Sequence, residues 1–216
     1  SRAAAGEWVE HLAGSGVADP DAVAVILSGF AQSSAVRRAD AIAARRLQRF
    51  SVHFAAALAT CRQPAVAARR VIRIVERVLR RSAYLALLNE NVAVLSRLVD
   101  LCDRSHYLAN ELARYPMLLD ELIDARMLVE PPSGEDFVRE LANHLREADS
   151  GDHEQSIEAL VAFKRATVFR LAVADFAGII PIMKVSDRLT ELAELILNQS
   201  LDIARADLAA QYGEPR

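Results

Sequence analysis

Asp19-Pro20-Asp21 has the D-x-D spacing with which a carboxylate pair holds a divalent metal, and it is the first of several constellations in this 216-residue sequence able to do chemistry. A proline between the two acids, just ahead of an apolar run, makes Asp19 a helix cap instead. His153-Glu154 opens the zinc pattern H-E-x-x-H, but position 157 is Ile. The five histidines (His11, His53, His106, His144, His153) are spaced so that no two share one face of a single helix. Glu191, Glu194 and Asn198, with Asp187 and Asp202, line one side of the last helix. The di-metal bundle pattern also needs Glu-x-x-His pairs, which are missing, so a solvated acidic face is the favoured reading. Glycine-rich phosphate loops of either common type and the G-x-S-x-G nucleophile turn are absent. The sequence therefore assigns no catalytic, cofactor-binding or metal-ligating residue.

Arginine supplies the strongest electrostatic feature. Over 64–81, at 100° per residue, Val71, Ile72, Ile74, Val75, Val78 and Leu79 fall on one side, and Arg69, Arg70, Arg73, Arg77, Arg80 and Arg81 on the other. Arg38, Arg45, Arg46 and Arg49 form a similar stripe just upstream. Nucleic acid is disfavoured as the partner, because the whole chain carries −3 and no aromatics are interleaved with these arginines. The 69–81 face is thus a candidate docking surface for an acidic protein or domain, against the plainer reading of a solvated or internally paired face. Residues 1–81 hold 13 basic and 6 acidic residues, net +7, and residues 82–216 hold 13 and 23, net −10, so each part attracts oppositely charged neighbours. Lys164 and Asp175 fall on the apolar side of a long helix with Ile157, Leu160, Val161, Val168 and Leu171. Lying 11 residues apart, roughly 16 Å, they cannot pair with each other. Lys164, Arg170 and Asp175 are candidate structural ion-pair residues, Lys164 and Asp175 each needing a partner on a neighbouring helix.

The elements that carry these residues read as helices throughout. Alanine occurs 39 times and aromatics make up 6%, so the 52% hydrophobic fraction is helix-forming rather than strand-forming. Helices are expected from Pro20 to about Gly29, over 34–60, and over 64–81. Short ones follow over 84–90, 91–103, 105–114 and 117–124. Ser133 with Asp136, and Asp152 with Gln155, have capping-box spacing for the next two. The second of these runs to about Ala177, where Gly178 and Pro181 close it, and Ser186 or Asp187 caps a last helix to about Tyr212. The expected fold is all-α: an irregular bundle of about ten helices, two long ones at the C-terminal end, and no sheet. No apolar stretch reaches the ~18 residues of a membrane span. Cys61 and Cys102 stand far apart in ordinary helix sequence, as reduced thiols do.

Three blocks resemble one family. Leu85-Ala86-Leu87-Leu88-Asn89-Glu90-Asn91, Leu98-Val99-Asp100-Leu101-Cys102-Asp103-Arg104-Ser105 and Tyr115-Pro116-Met117-Leu118-Leu119-Asp120-Glu121-Leu122-Ile123-Asp124 resemble the region before the second catalytic domain of bacterial glutamine synthetase adenylyltransferase. Phe163-Lys164-Arg165, Phe169-Arg170-Leu171-Ala172-Val173-Ala174-Asp175 and Ile180-Pro181-Ile182-Met183-Lys184-Val185-Ser186-Asp187-Arg188-Leu189-Thr190-Glu191-Leu192-Ala193-Glu194 resemble the stretch immediately upstream of it. The resemblance covers about 82–216. Ser28-Gly29-Phe30 is more loosely similar to the end of the helical domain after the first catalytic unit.

The resemblance implies a bifunctional nucleotidyltransferase of nitrogen regulation in the cytoplasm. One unit attaches AMP to a tyrosine of glutamine synthetase, and the other removes it by phosphorolysis. ATP and magnesium serve the full-length enzyme through a G-x-G-K-x-G turn and a D-x-D pair. Neither motif occurs here, so no catalytic residue carries over and no cofactor is expected in this chain. A start on Ser1 and a stop at Arg216 fit a helical segment between the catalytic units, with residues 1–62 ending one helical domain and 63–216 leading into the second unit. Implied partners are glutamine synthetase, the PII signalling protein and the flanking catalytic units; nucleic acid and membrane are not among them. The competing class is a stand-alone helical interaction adaptor.

Overall fold

The computed structural model describes residues 2–79, 82–123, 132–147 and 153–213. Among them every regular element is a helix: α1 (Arg2–Gly14), α2 (Pro20–Ala31), α3 (Ser34–Arg37), α4 (Ala41–Leu58), α5 (Pro64–Val78), α6 (Ser82–Glu90), α7 (Val92–Arg104), α8 (His106–Arg114), a 3-10 helix (Pro116–Leu122), α9 (Gly134–Glu147), α10 (His153–Phe176) and α11 (Ile182–Tyr212). The all-α expectation holds. Two compact units divide the chain, residues 1–123 and 124–216. The 62/63 boundary drawn from resemblance lies inside the first unit, where α2 packs on α5 and α4 packs on α6 and α7.

Caps explain where most helices begin. Asp19, at φ 54°, accepts the Ala22 N–H on its side chain and precedes Pro20 at N1, so the D-x-D pair is a cap. Ser33 accepts from the Val36 N–H, and the Asp40 Oδ1 accepts from the Ala43 N–H at 2.7 Å. That second cap splits the single helix expected over 34–60 into α3 and α4. Ser105 caps α8 through the Leu108 N–H. Before α9 the Asp136 carboxylate accepts the Ser133 N–H at 2.8 Å and the Ser133 hydroxyl at 2.7 Å, while Ser133 Oγ accepts the Asp136 N–H. Those two bonds from Ser133 hold the Asp136 carboxyl below its ordinary value of 3.8, with Arg139 and Arg188 adding to the effect. A depressed folded pKa means this support is present above about pH 3.8 and fades as pH falls through the lower folded value. The box proposed at Asp152 lies outside the described residues. Gly178, at φ 68°, ends the turn after α10. Pro181, in extended conformation, occupies the N-cap of α11. The last helix therefore starts at Ile182, a turn before Ser186 and Asp187, because a proline opens a helix as readily as it ends one.

Unit 1 is organised on α5. Val71, Ile74, Val75 and Val78 are buried as the periodicity predicts, and α2, α7 and α8 pack on this helix. Each such aliphatic contributes roughly 1.5–3 kcal/mol on burial. Phe50 and Phe54 of α4 stack 5.1 Å apart in the same unit. Gln63, the N-cap of α5, makes no side-chain capping bond. The cap comes from α7: the Asp103 carboxylate, on a residue only 7% exposed, accepts the N–H groups of Arg62 and Gln63, each at 2.9 Å. In return Arg70 of α5 donates from Nη1 to the carbonyls of Cys102 and Asp103 in the last turn of α7. Each helix thus satisfies the other's orphaned terminus.

Unit 2 contains α9, α10 and α11. Phe137 and Leu141 of α9, Leu160, Phe163 and Leu171 of α10, and Leu192 of α11 form its core. Spacings of three and four residues place the α10 and α9 members on single stripes.

Replacing Asp103 with Ala leaves two N–H donors without a partner at a partly buried contact. The expected loss is about 2–3 kcal/mol of unfolding free energy in urea denaturation. Asn, which keeps one acceptor oxygen, is expected to recover about half.

Candidate docking surface

The arginine face of α5 is partly spent inside its own unit. Arg70 is half-buried at the α7 carbonyls, and Arg73 donates from Nη2 to Asn110 Oδ1 of α8 at 2.6 Å. Asn110 Nδ2 in turn lies 2.8 Å from His106 Nε2. Arg69 and Arg77 are exposed, with no hydrogen-bond or ion-pair partner among the described residues. Arg80 and Arg81 lie outside the described residues. On α4, Arg45, Arg46 and Arg49 line a shallow hollow of about 230 Å³ with Ile42, Ala86, Asn89 and Glu90. Its floor is held by Asn89, buried in α6, whose Nδ2 donates to the Arg46 carbonyl at 2.9 Å. Arg38 instead donates to Ser34 Oγ within its own turn.

Of the three candidate ion-pair residues, only Arg170 makes an ion pair among the described residues. Its Nη1 and Nη2 donate to Glu140 Oε1 and Oε2 of α9, both at 2.7 Å, and Nη2 also donates to Thr167 Oγ1. The guanidinium side chain is 9% exposed, so this bidentate fork is a near-buried tie between α9 and α10. Lys164 and Asp175 are exposed, and the expected partners on neighbouring helices are not found among the described residues. The reason is angular. One buried stripe of α10 runs through Leu160, Phe163, Thr167, Leu171 and Ala174, and Phe169 and Val173 are buried on the far side. Lys164 and Asp175 stand about 60–80° to the side of the first stripe with the exposed Ile157 and Val161.

That flank borders a largely apolar groove of about 480 Å³ between α10 and α11, lined by Ile157, Val161 and Lys164 on one side and by Ile196, Ile203 and Ala204 on the other. His153 Nε2 and Asp207 Oδ1 face each other 3.9 Å apart at its edge. On the acidic side of α11, Glu191 pairs with Arg188 at 2.7 Å, while Asp187, Glu194, Asn198 and Asp202 are exposed. Among the described residues no three His, Cys, Asp or Glu side chains converge on a metal-sized point. No described helix is long and apolar enough to cross a membrane.

Burial raises both thiols to about 12. For Cys61 the carboxylates of Asp103 and Asp100 push the same way, and for Cys102 the nearby Arg70 opposes the effect. Both cysteines are free.

Sequence reasoning missed Asp103, the residue that joins α5 to α7. Its only signal is a carboxylate closing the apolar run Leu98-Val99-Asp100-Leu101-Cys102, and a helical pattern does not name the backbone it reaches.

The fold and its surfaces define an all-helical segment with exposed charge and, among its described residues, no assembled metal centre. Comparison with known proteins identifies the family. A family model described as glutamate-ammonia ligase adenylyltransferase matches residues 95–216. Bifunctional glutamine synthetase adenylyltransferase/adenylyl-removing enzymes are similar across more of the chain. The one from Pseudomonas aeruginosa is 40% identical over 205 residues, 95% of this chain and 21% of the relative. Those from Pseudomonas putida and Mannheimia succiniciproducens are 40% identical over 190 residues (88% and 19%) and 45% identical over 146 residues (68% and 15%). The chain belongs to the glutamate-ammonia ligase adenylyltransferase family, and it spans 15–21% of the length of these relatives.

Two outcomes follow from the geometry. Arg70→Ala is expected to cost about 1–2 kcal/mol in chemical denaturation and Arg77→Ala less than about 0.5, because only Arg70 binds backbone of another helix. At pH 8 a thiol near 12 is ionised roughly one part in ten thousand. Iodoacetamide is therefore expected to modify Cys61 and Cys102 rapidly in urea and slowly in the folded protein.

Proposed function

We propose that this chain is the helical segment that joins the two catalytic units of an enzyme that adenylylates and deadenylylates glutamine synthetase, and that it is not itself catalytic. The observation that carries the reading is the family match over 95–216 combined with a span of 15–21% of relatives that bear both activities in their name. On this reading residues 1–62 close the helical domain after the first unit, and 63–216 lead into the second. ATP and magnesium serve the catalytic units elsewhere in a cytoplasmic full-length protein.

Its work is to position those units and to pass regulatory state between them. Arg69 and Arg77, exposed and unpaired among the described residues, are what the α5 face offers to an acidic surface of glutamine synthetase or of the PII signalling protein. Arg80 and Arg81 extend that face in the sequence.

The chain alone, incubated with glutamine synthetase, ATP and magnesium, is expected to give no AMP transfer, and with adenylylated enzyme and phosphate no removal. Turnover in either assay defeats the reading. In the full-length protein, the pair Arg69→Glu and Arg77→Glu is expected to weaken binding to one of the two partners at least fivefold and to flatten its salt dependence. Unchanged binding to both means that the face is only solvated.

A further inference from the structure

The outer face of α11 carries an apolar stripe that no described residue of this chain covers. Leu197, Leu201, Leu208 and Tyr212 are 64%, 66%, 56% and 80% exposed. At 100° per residue they lie within about 60° of one another, with Ala204 about 20° beyond Leu197 at the rim of the α10–α11 groove. Leu192, which anchors α11 in the core of its unit, is about 140–180° away around the helix from Leu197 and Leu201. The second half of α11 is therefore apolar on two opposite faces. Between the exposed Met183 and the stripe the same outer line reads Asp187, Thr190, Glu194 and is polar, so the stripe is bounded on its N-terminal side.

Spacing and area together select the occupant. Leu197, Leu201, Ala204 and Leu208 follow the alternating four-and-three step that a second helix fills with its own side chains. Two such repeats make a seam on the order of 500 Å², well short of the ~800 Å² per partner that a stable association of separate molecules requires. A seam of that size is held when its partner is tethered, since a covalent link turns docking into an intramolecular step at millimolar effective concentration. Relatives are between four and five times the length of this chain, which supplies the tether.

We propose that the Leu197–Tyr212 face of α11 is a docking seam for a helix of the same polypeptide lying outside these 216 residues. The inference rests on reading the chain as one segment of a longer protein. It adds the surface by which that segment is joined to the rest. A second copy of the chain is the rival occupant, and its hallmark is dependence on concentration.

The test is cysteine protection in the full-length protein. Leu201→Cys, a conservative change, is reacted with a maleimide in the native state and in urea, and the modified peptide is quantified by mass spectrometry. Native reaction at least tenfold slower than in urea, and unchanged over a hundredfold dilution, is expected. A smaller ratio means the seam is open and overturns the proposal. Protection that disappears on dilution assigns the seam to a second copy and overturns it equally. Leu208→Cys provides an independent reading one turn-pair further along and is expected to agree. Turnover is not part of this readout, so catalytic activity in the isolated chain would defeat the bridging function while leaving the seam measurement intact.

Discussion

The carboxylate of Asp103 sits at the start of α5 and is buried there, and that placement constrains the first unit. Taking a carboxylate out of water is costly unless donors replace the water, and here two backbone N–H groups do so at 2.9 Å each. The Gln63 N–H is free because the N-cap N–H of a helix has no intrahelical partner, and the Arg62 N–H belongs to the residue just before the cap. The arrangement closes only if α7 ends where α5 begins. Arg70 repeats the logic with opposite sign, placing a cation on the carbonyls at the end of α7. Register between the two helices is thereby set at one point by two complementary charges, and α2 and α8 pack onto a helix already fixed.

Side chains bind a neighbouring helix's backbone at two further places in the first unit. Arg97 donates to the Leu122 carbonyl at the end of the 3-10 helix, and Asn89 donates to the Arg46 carbonyl of α4. Helices of two to four turns are marginal in isolation, so side chains that bind a neighbour's backbone add to apolar burial in keeping them folded. The second unit has helices of 24 and 31 residues and depends on such ties less. Its core residues and the Arg170–Glu140 fork join side chain to side chain.

What the sequence made legible follows from the range of each interaction. Caps are local, so the Ser133–Asp136 pair can be read directly. The Ser33, Ser105 and Asp40 caps use the same local chemistry, and the expectation of one helix over 34–60 overlooks the split at Asp40. The α5 periodicity is also local and correctly placed its buried face. Lys164 and Asp175 show the limit. A helical wheel placed them beside Leu160 and Leu171, but the edge of the buried stripe depends on where α9 and α11 lie, which periodicity does not contain. Asp103 shows the same limit from the other side, since its partners are 40 and 41 residues away in sequence.

The arginine face combines both cases. Its stripe was legible, but its free charge was not, because two of the four described arginines are occupied by α7 and α8. Arg69 and Arg77 remain, eight residues apart and so about 12 Å along the helix, rotated by about 80°. Two separated guanidinium groups select for spacing more than for total negative charge, since each interacts strongly only with an anion near it at physiological ionic strength. The net charge of +7 over residues 1–81 thus overstates what a partner meets on this face. Much of the α5 arginine content stabilises the unit, and the smaller exposed remainder is what an acidic surface has to match in geometry.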